Sequence, residues 1–94
     1  MKLHVKFSIN DLAIDDIIEG ENAAEIVRNA KLATAAKLGS LMGSFVRSMP
    51  DLQFAREVVT RYNKALGKAT PPPASVEAFV EWALAEELAS EIEE

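Results

Sequence analysis

The chain reads as an α+β domain, mostly helical, with an N-terminal β-strand or short β-hairpin followed by three to four packed α-helices. Three observations predict it. Residues 2–9, KLHVKFSI, alternate apolar and polar side chains, the period of a half-buried strand. From residue 22 onward, apolar residues recur at helical spacing. Finally, 15 of the 94 residues are alanine and only six are aromatic, a composition that suits close helix contacts.

Leu3, Val5, Phe7 and Ile9 fall on one face of the first strand, and Lys2, His4, Lys6 and Ser8 on the other. Asn10 and Asp11 then read as a turn. Residues 12–20, LAIDDIIEG, fit two states. As a strand they turn Ile18 and Gly20 inward, and Asp16 with them. As a helix they align Ile14, Ile17 and Ile18, with Gly20 as a stop. We favour a hairpin with a short second strand near Ile17–Glu19, because a lone strand leaves its ladder groups unpaired.

Residues 22–38 predict a helix, with Asn22 as N-cap and Glu25 completing a capping-box-like pair. Its core stripe is Ile26, Val27, Ala30, Ala33 and Leu38; Arg28, Lys31 and Lys37 lie outside it. Residues 40–49 continue this helix or restart after a bend. Ala35, Gly39 and Gly43 step by four and would form one groove of small residues, a predicted helix contact or bend. Ser48 and Asp51 form a second S-x-x-D box, and the helix from about 50 to 66 uses Leu52, Ala55, Val58, Val59, Tyr62 and Leu66 as its apolar face. Gly67 ends it. The segment KATPPPAS is a stiff spacer. A last helix runs from about Val76 to Ile92, capped by Ser75, with Val76, Phe79, Val80, Ala83, Leu84, Leu88 and Ile92 as its stripe. The organisation expected is a core domain over 1–68, a proline-rich spacer over 69–75 and an acidic C-terminal helix over 76–94. That helix either joins the same domain or reaches to a partner.

Charge is segregated. All ten Lys and Arg lie in residues 1–68, while residues 69–94 hold seven Glu and no base. The net charge of −5 is the wrong field for a phosphate backbone and argues against nucleic acid. No cysteine is present, which excludes disulfides and thiolate chemistry. Residues 1–15 lack the apolar core of a signal peptide. The longest nearly uncharged run, 38–46, is far shorter than the ~20 residues of a membrane span. A cytoplasmic protein without membrane attachment is expected.

Chemistry is sparse. The single histidine, His4, sits between Lys2 and Lys6 on the polar face of the first strand, with no orienting partner in sequence for acid–base work. Asp11, Asp15, Asp16, Glu19, Glu21 and Glu25 lack the loop spacing of a hard-cation site. No phosphate loop, nucleophile motif or dinucleotide fingerprint occurs. Neither cofactor nor metal is expected, and the chain does not read as an enzyme.

What remains is interaction. The expected function is a small non-enzymatic protein-interaction or adaptor module. Weak intrinsic burial favours self-association, most simply as a homodimer. The acidic C-terminal helix, bearing Glu77, Glu81, Glu86 and Glu87, would dock on a basic protein surface, with Trp82 as an interface anchor. Gly39 and Gly43 would let a second backbone approach. The alternative is a regulator of a nucleic-acid process. It would bind DNA through Arg56, Arg61 and Lys64 on a helix-turn-helix-like unit, or mimic DNA with its carboxylates.

Overall fold

A computed structural model describes residues 1–9 and 12–92. The architecture is α+β and mostly helical. Strands β1 (Lys2–Ile9) and β2 (Leu12–Glu19) are followed by helices α1 (Ala23–Lys37), α2 (Ser40–Ser48), α3 (Asp51–Leu66) and α4 (Val76–Ala85), and then strand β3 (Ala89–Glu91). The sheet is antiparallel, in the order β2-β1-β3. The expected turn at Asn10–Asp11 lies outside the described residues.

The hairpin is longer than expected, since β2 spans all of 12–19. Its register places Leu3 opposite Ile18, Val5 opposite Asp16 and Phe7 opposite Ile14. The alternation of β1 therefore continues across the pair and gives the sheet one apolar face. Asp16 does point to that face. It is accommodated at the sheet edge, where Lys37 at the end of α1 lies 3.6 Å from its carboxylate. An inward charge on an edge strand also discourages pairing with foreign strands.

Helix α1 starts as its sequence dictates. The Asn22 side chain accepts from the Glu25 N–H at 3.0 Å. The Glu25 carboxylate reaches back one residue beyond the cap, to the N–H of Glu21. α1 ends at Lys37, Leu38 and Gly39 are extended, and the chain restarts as α2. The small-residue groove is thus cut by a bend at Gly39. Gly43 still meets Ala35 across that bend: a Cβ on Gly43 would stand 2.7 Å from the Ala35 carbonyl oxygen.

The S-x-x-D box at Ser48–Asp51 does not form. Ser48 closes α2, donating to the Phe45 carbonyl, and Pro50 is the N-cap of α3 without a side-chain bond. Asp51 instead faces α1. Its carboxylate lies 2.8 Å from the Lys31 ammonium and 3.6 Å from the Arg28 guanidinium. Lys31, placed outside the stripe by the sequence pattern, is buried here. It also donates to the Met49 carbonyl at 2.8 Å, so the cation is both paired and hydrogen-bonded.

α3 buries Phe54, Ala55, Val59 and Tyr62, whereas Leu66 is exposed. Gly67 ends it in the left-handed conformation (φ 66°), which glycine adopts without a Cβ penalty. The proline segment is fastened to α3. Arg56 Nε donates to the Pro73 carbonyl at 3.0 Å, and the Asn63 amide bonds both backbone groups of Thr70. This brings α4 back onto α1 and α3 of the same chain.

The last helix is shorter than its apolar stripe suggests. It ends at Ala85, and residues 89–91 become a strand beside β1. Glu87 takes the left-handed conformation (φ 61°). Its N–H donates to Leu84, and the N–H of Leu88 donates to Ala83. These two bonds form a Schellman motif with glutamate where glycine is usual. The stripe breaks there because Leu88 and Ala89 serve the sheet: the Lys6 N–H donates to the Leu88 carbonyl, and Ala89 is buried opposite Val5. The core joins Leu3 and Ile18 of the sheet to Ile26, Val27, Phe54, Val59, Phe79 and Val80 of the helices.

Candidate functional site

The sheet's outer face carries the sole histidine. His4 Nε2 lies 2.6 Å from an Asp15 carboxylate oxygen, and both side chains are well exposed. The hydrogen bond from His4 is the main reason the Asp15 carboxyl is held below its ordinary pKa. Desolvation, the next largest influence, works against this lowering, and the charges of His4, Lys6 and Lys37 reinforce it. The pair lies on an open strand surface. Among the described residues, no group of three or more His, Cys, Asp or Glu side chains is placed to hold a metal ion.

The residues singled out in the sequence are not brought to one place. Trp82 packs within the fold, edge-on to Tyr62 (5.2 Å between centroids) and stacked with Phe79 (5.7 Å). Its Nε1–H is buried and has no hydrogen-bond partner among the described residues. Glu86 lies 3.0 Å from the Lys68 ammonium, an interaction that raises the pKa of Lys68, chiefly through the hydrogen bond. Glu87 serves the turn described above. Glu77 and Glu81 remain on the exposed side of α4. Among the basic residues, Arg56 holds the proline segment and Arg61 pairs with Glu57 one turn earlier at 3.2 Å; Lys64 is exposed. α2 packs chiefly on α1, whereas α3 packs on α1 and α4.

The surface that does stand out was not singled out by the sequence. α2 turns Gly43 and Val46 inward. It leaves Leu41, Met42 and Phe45 with 83%, 52% and 61% of their surface exposed. Leu41 and Phe45 lie one turn apart, with Met42 beside them, so the three side chains form one patch. A soluble surface carries scattered apolar residues, whereas a concentrated patch marks a contact site. In the sequence, SLMGSFVRS offers five candidates for burial: Leu41, Met42, Gly43, Phe45 and Val46. Only the close Gly43–Ala35 approach decides that the small residue faces the core and the large ones face out.

No helix among the described residues is long and apolar enough to cross a membrane. Comparison with known protein families, curated proteins and solved structures finds no match for this chain.

Proposed function

We propose that this protein is a small non-enzymatic interaction module that engages a protein partner through the outer face of α2. The observation that carries the reading is the exposure of Leu41, Met42 and Phe45 together on a nine-residue helix supported from one side by α1. Large apolar side chains gain most from being covered, and a contiguous set of them is the usual centre of an interface. The rest of the fold acts as a mount: the Gly43–Ala35 contact seats the middle of α2 on α1, and the hydrogen bond from Lys31 to the Met49 carbonyl holds its C-terminal end. The non-enzymatic part of the reading is supported by His4 lying on an open strand surface, with an exposed aspartate as its partner. The acidic face of α4, with Glu77 and Glu81, is a secondary docking surface.

The test is capture of partners on immobilised protein, followed by reconstitution of each complex from purified components. The complex should survive Glu77→Ala/Glu81→Ala and be lost with Leu41→Ser/Phe45→Ser. A complex indifferent to the α2 substitutions and lost with the α4 ones would move the interface to the C-terminal helix.

A further inference from the structure

Strand β2 is the outer strand of the sheet, paired with β1 on one side only. Hydrogen bonds fix which of its main-chain groups point the other way. The Gly20 N–H donates to the Met1 carbonyl, the Lys6 N–H donates to the Leu88 carbonyl, and the Lys2 carbonyl accepts from Ile92. Along an antiparallel strand the bonding direction alternates from residue to residue. With Leu3 opposite Ile18 and Val5 opposite Asp16, Ile14, Asp16 and Ile18 bond β1. Asp15, Ile17 and Glu19 therefore turn their N–H and C=O groups outward. The Asn29 amide, which donates to the Glu19 carbonyl from α1, agrees with this phase. The outward groups of Asp15 and Ile17 have no hydrogen-bond partner among the described residues. The side chains of the same three residues stand on the sheet face away from the helices. Ile17 keeps 59% of its surface exposed. Asp15 is engaged by His4 and Glu19 by Lys2, both from β1, yet each carboxylate is more than half exposed. The edge thus presents open main-chain donors and acceptors beside an acidic, apolar, acidic row of side chains.

We infer that this edge is a strand-addition site for an extended segment of another protein that carries a basic, an apolar and a basic residue at alternate positions. A row of main-chain N–H and C=O groups is answered as a set only by another extended backbone. In that pairing a β-branched side chain covers Ile17, and Lys or Arg faces Asp15 and Glu19. Asp16 narrows the choice further. Its inward carboxylate disfavours an apolar side chain opposite it, so the occupant is polar there. A second copy of β2 fits poorly. An antiparallel two-fold pairing centred on Asp15, Asp16 or Ile17 sets a carboxylate directly opposite a carboxylate. The site is separate from the α2 face and does not rest on it.

The experiment uses the whole protein and a capped peptide of about seven residues, a typical strand length. The peptide carries lysine, valine and lysine at alternate positions, with threonine between them. Amide hydrogen exchange read by NMR reports the contact residue by residue. In the free protein the amides of Asp16 and Ile18 should exchange slowly and those of Asp15 and Ile17 fast. Excess peptide should slow Asp15 and Ile17 at least about tenfold. A peptide with glutamate in place of lysine should bind at least about fivefold more weakly. A peptide N-methylated at alternate residues along its bonding edge should not protect them. Ile17→Pro removes an outward N–H and no ladder bond, so its thermal melt should stay close to the parent's while protection by the peptide is lost. Asp15→Lys/Glu19→Lys should transfer the preference to the glutamate peptide, a readout that does not depend on the proline variant folding. Absence of protection by the lysine peptide overturns the inference, as does equal binding of the lysine and glutamate peptides or of the N-methylated one. Slow exchange of Asp15 and Ile17 in the free protein that fades on dilution also overturns it and assigns the edge to a second copy.

Discussion

At the residue scale, two glycines that look equivalent in the sequence have different roles. Gly43 lies where a methyl group would collide with the Ala35 carbonyl, whereas Gly39 has open space around its Cβ position. Gly43→Ala should destabilise the fold by about 1–3 kcal/mol, because the obstacle is backbone and α2 must move. Gly39→Ala should change stability by less than about 1 kcal/mol; thermal melts of the two variants make the comparison. Their four-residue spacing was legible and a bend was one of the two expected outcomes; its position at Leu38–Gly39 was not legible, since nothing before Gly39 stops a helix. Acid titration provides a second test. His4 holds the Asp15 carboxyl below its ordinary value. A carboxylate whose pKa is lower in the folded state stabilises the fold above its unfolded pKa, and that contribution is lost as pH falls through the lower folded value. His4→Ala should therefore raise the Asp15 pKa toward the ordinary carboxylate range, read by NMR of its side-chain carbon. It should also flatten the pH dependence of stability below about pH 4. An unmoved Asp15 titration would mean that the pair does not persist in solution.

At the element scale, starts were easier to read than ends. Asn22 and Ser75 cap α1 and α4, each accepting from the N–H three residues on, and both were evident as polar residues before an apolar run. The end of α4 was hidden. Leu88 and Ile92 continue a helical stripe in the sequence, and the residue that takes the left-handed turn is Glu87 rather than glycine. The strand that follows is specified by β1, some 85 residues earlier, and no local pattern encodes that. Glu87→Gly should stabilise the protein by about 0.5–1 kcal/mol by relieving the left-handed strain, less the entropy glycine adds to the unfolded chain; denaturant melts measure it. The outward face of α2 was illegible for a related reason. Which side of a short apolar helix is covered depends on the helix it meets.

At the scale of the whole molecule, the sheet and helices enclose an apolar void of ≈ 40 Å³, lined among others by Val5, Ala30, Val58, Phe79 and Ala83. Alanine-rich helices leave such gaps because they pack closely at the backbone but fill little volume. Ala30→Val should fill part of it and raise stability by up to about 1 kcal/mol, the scale set by cavity energetics. A lower melting temperature would show that the void cannot take the extra methyl groups. The fold class followed directly from period-two alternation in the first nine residues and helical spacing after residue 22. The three-stranded sheet did not, because its third strand is short and distant in sequence.

That third strand has a kinetic consequence. Pairing residues 3–5 with 89–91 closes a loop of nearly the whole chain, so its entropic cost falls due only after the hairpin and helices have formed. β3 should therefore be absent from the folding transition state. Strengthening its entry turn with Glu87→Gly should leave the refolding rate unchanged and slow unfolding by about two- to fivefold. The last strand on the sheet would then act as a latch: it contributes nothing to how fast the protein forms and sets how long it lasts.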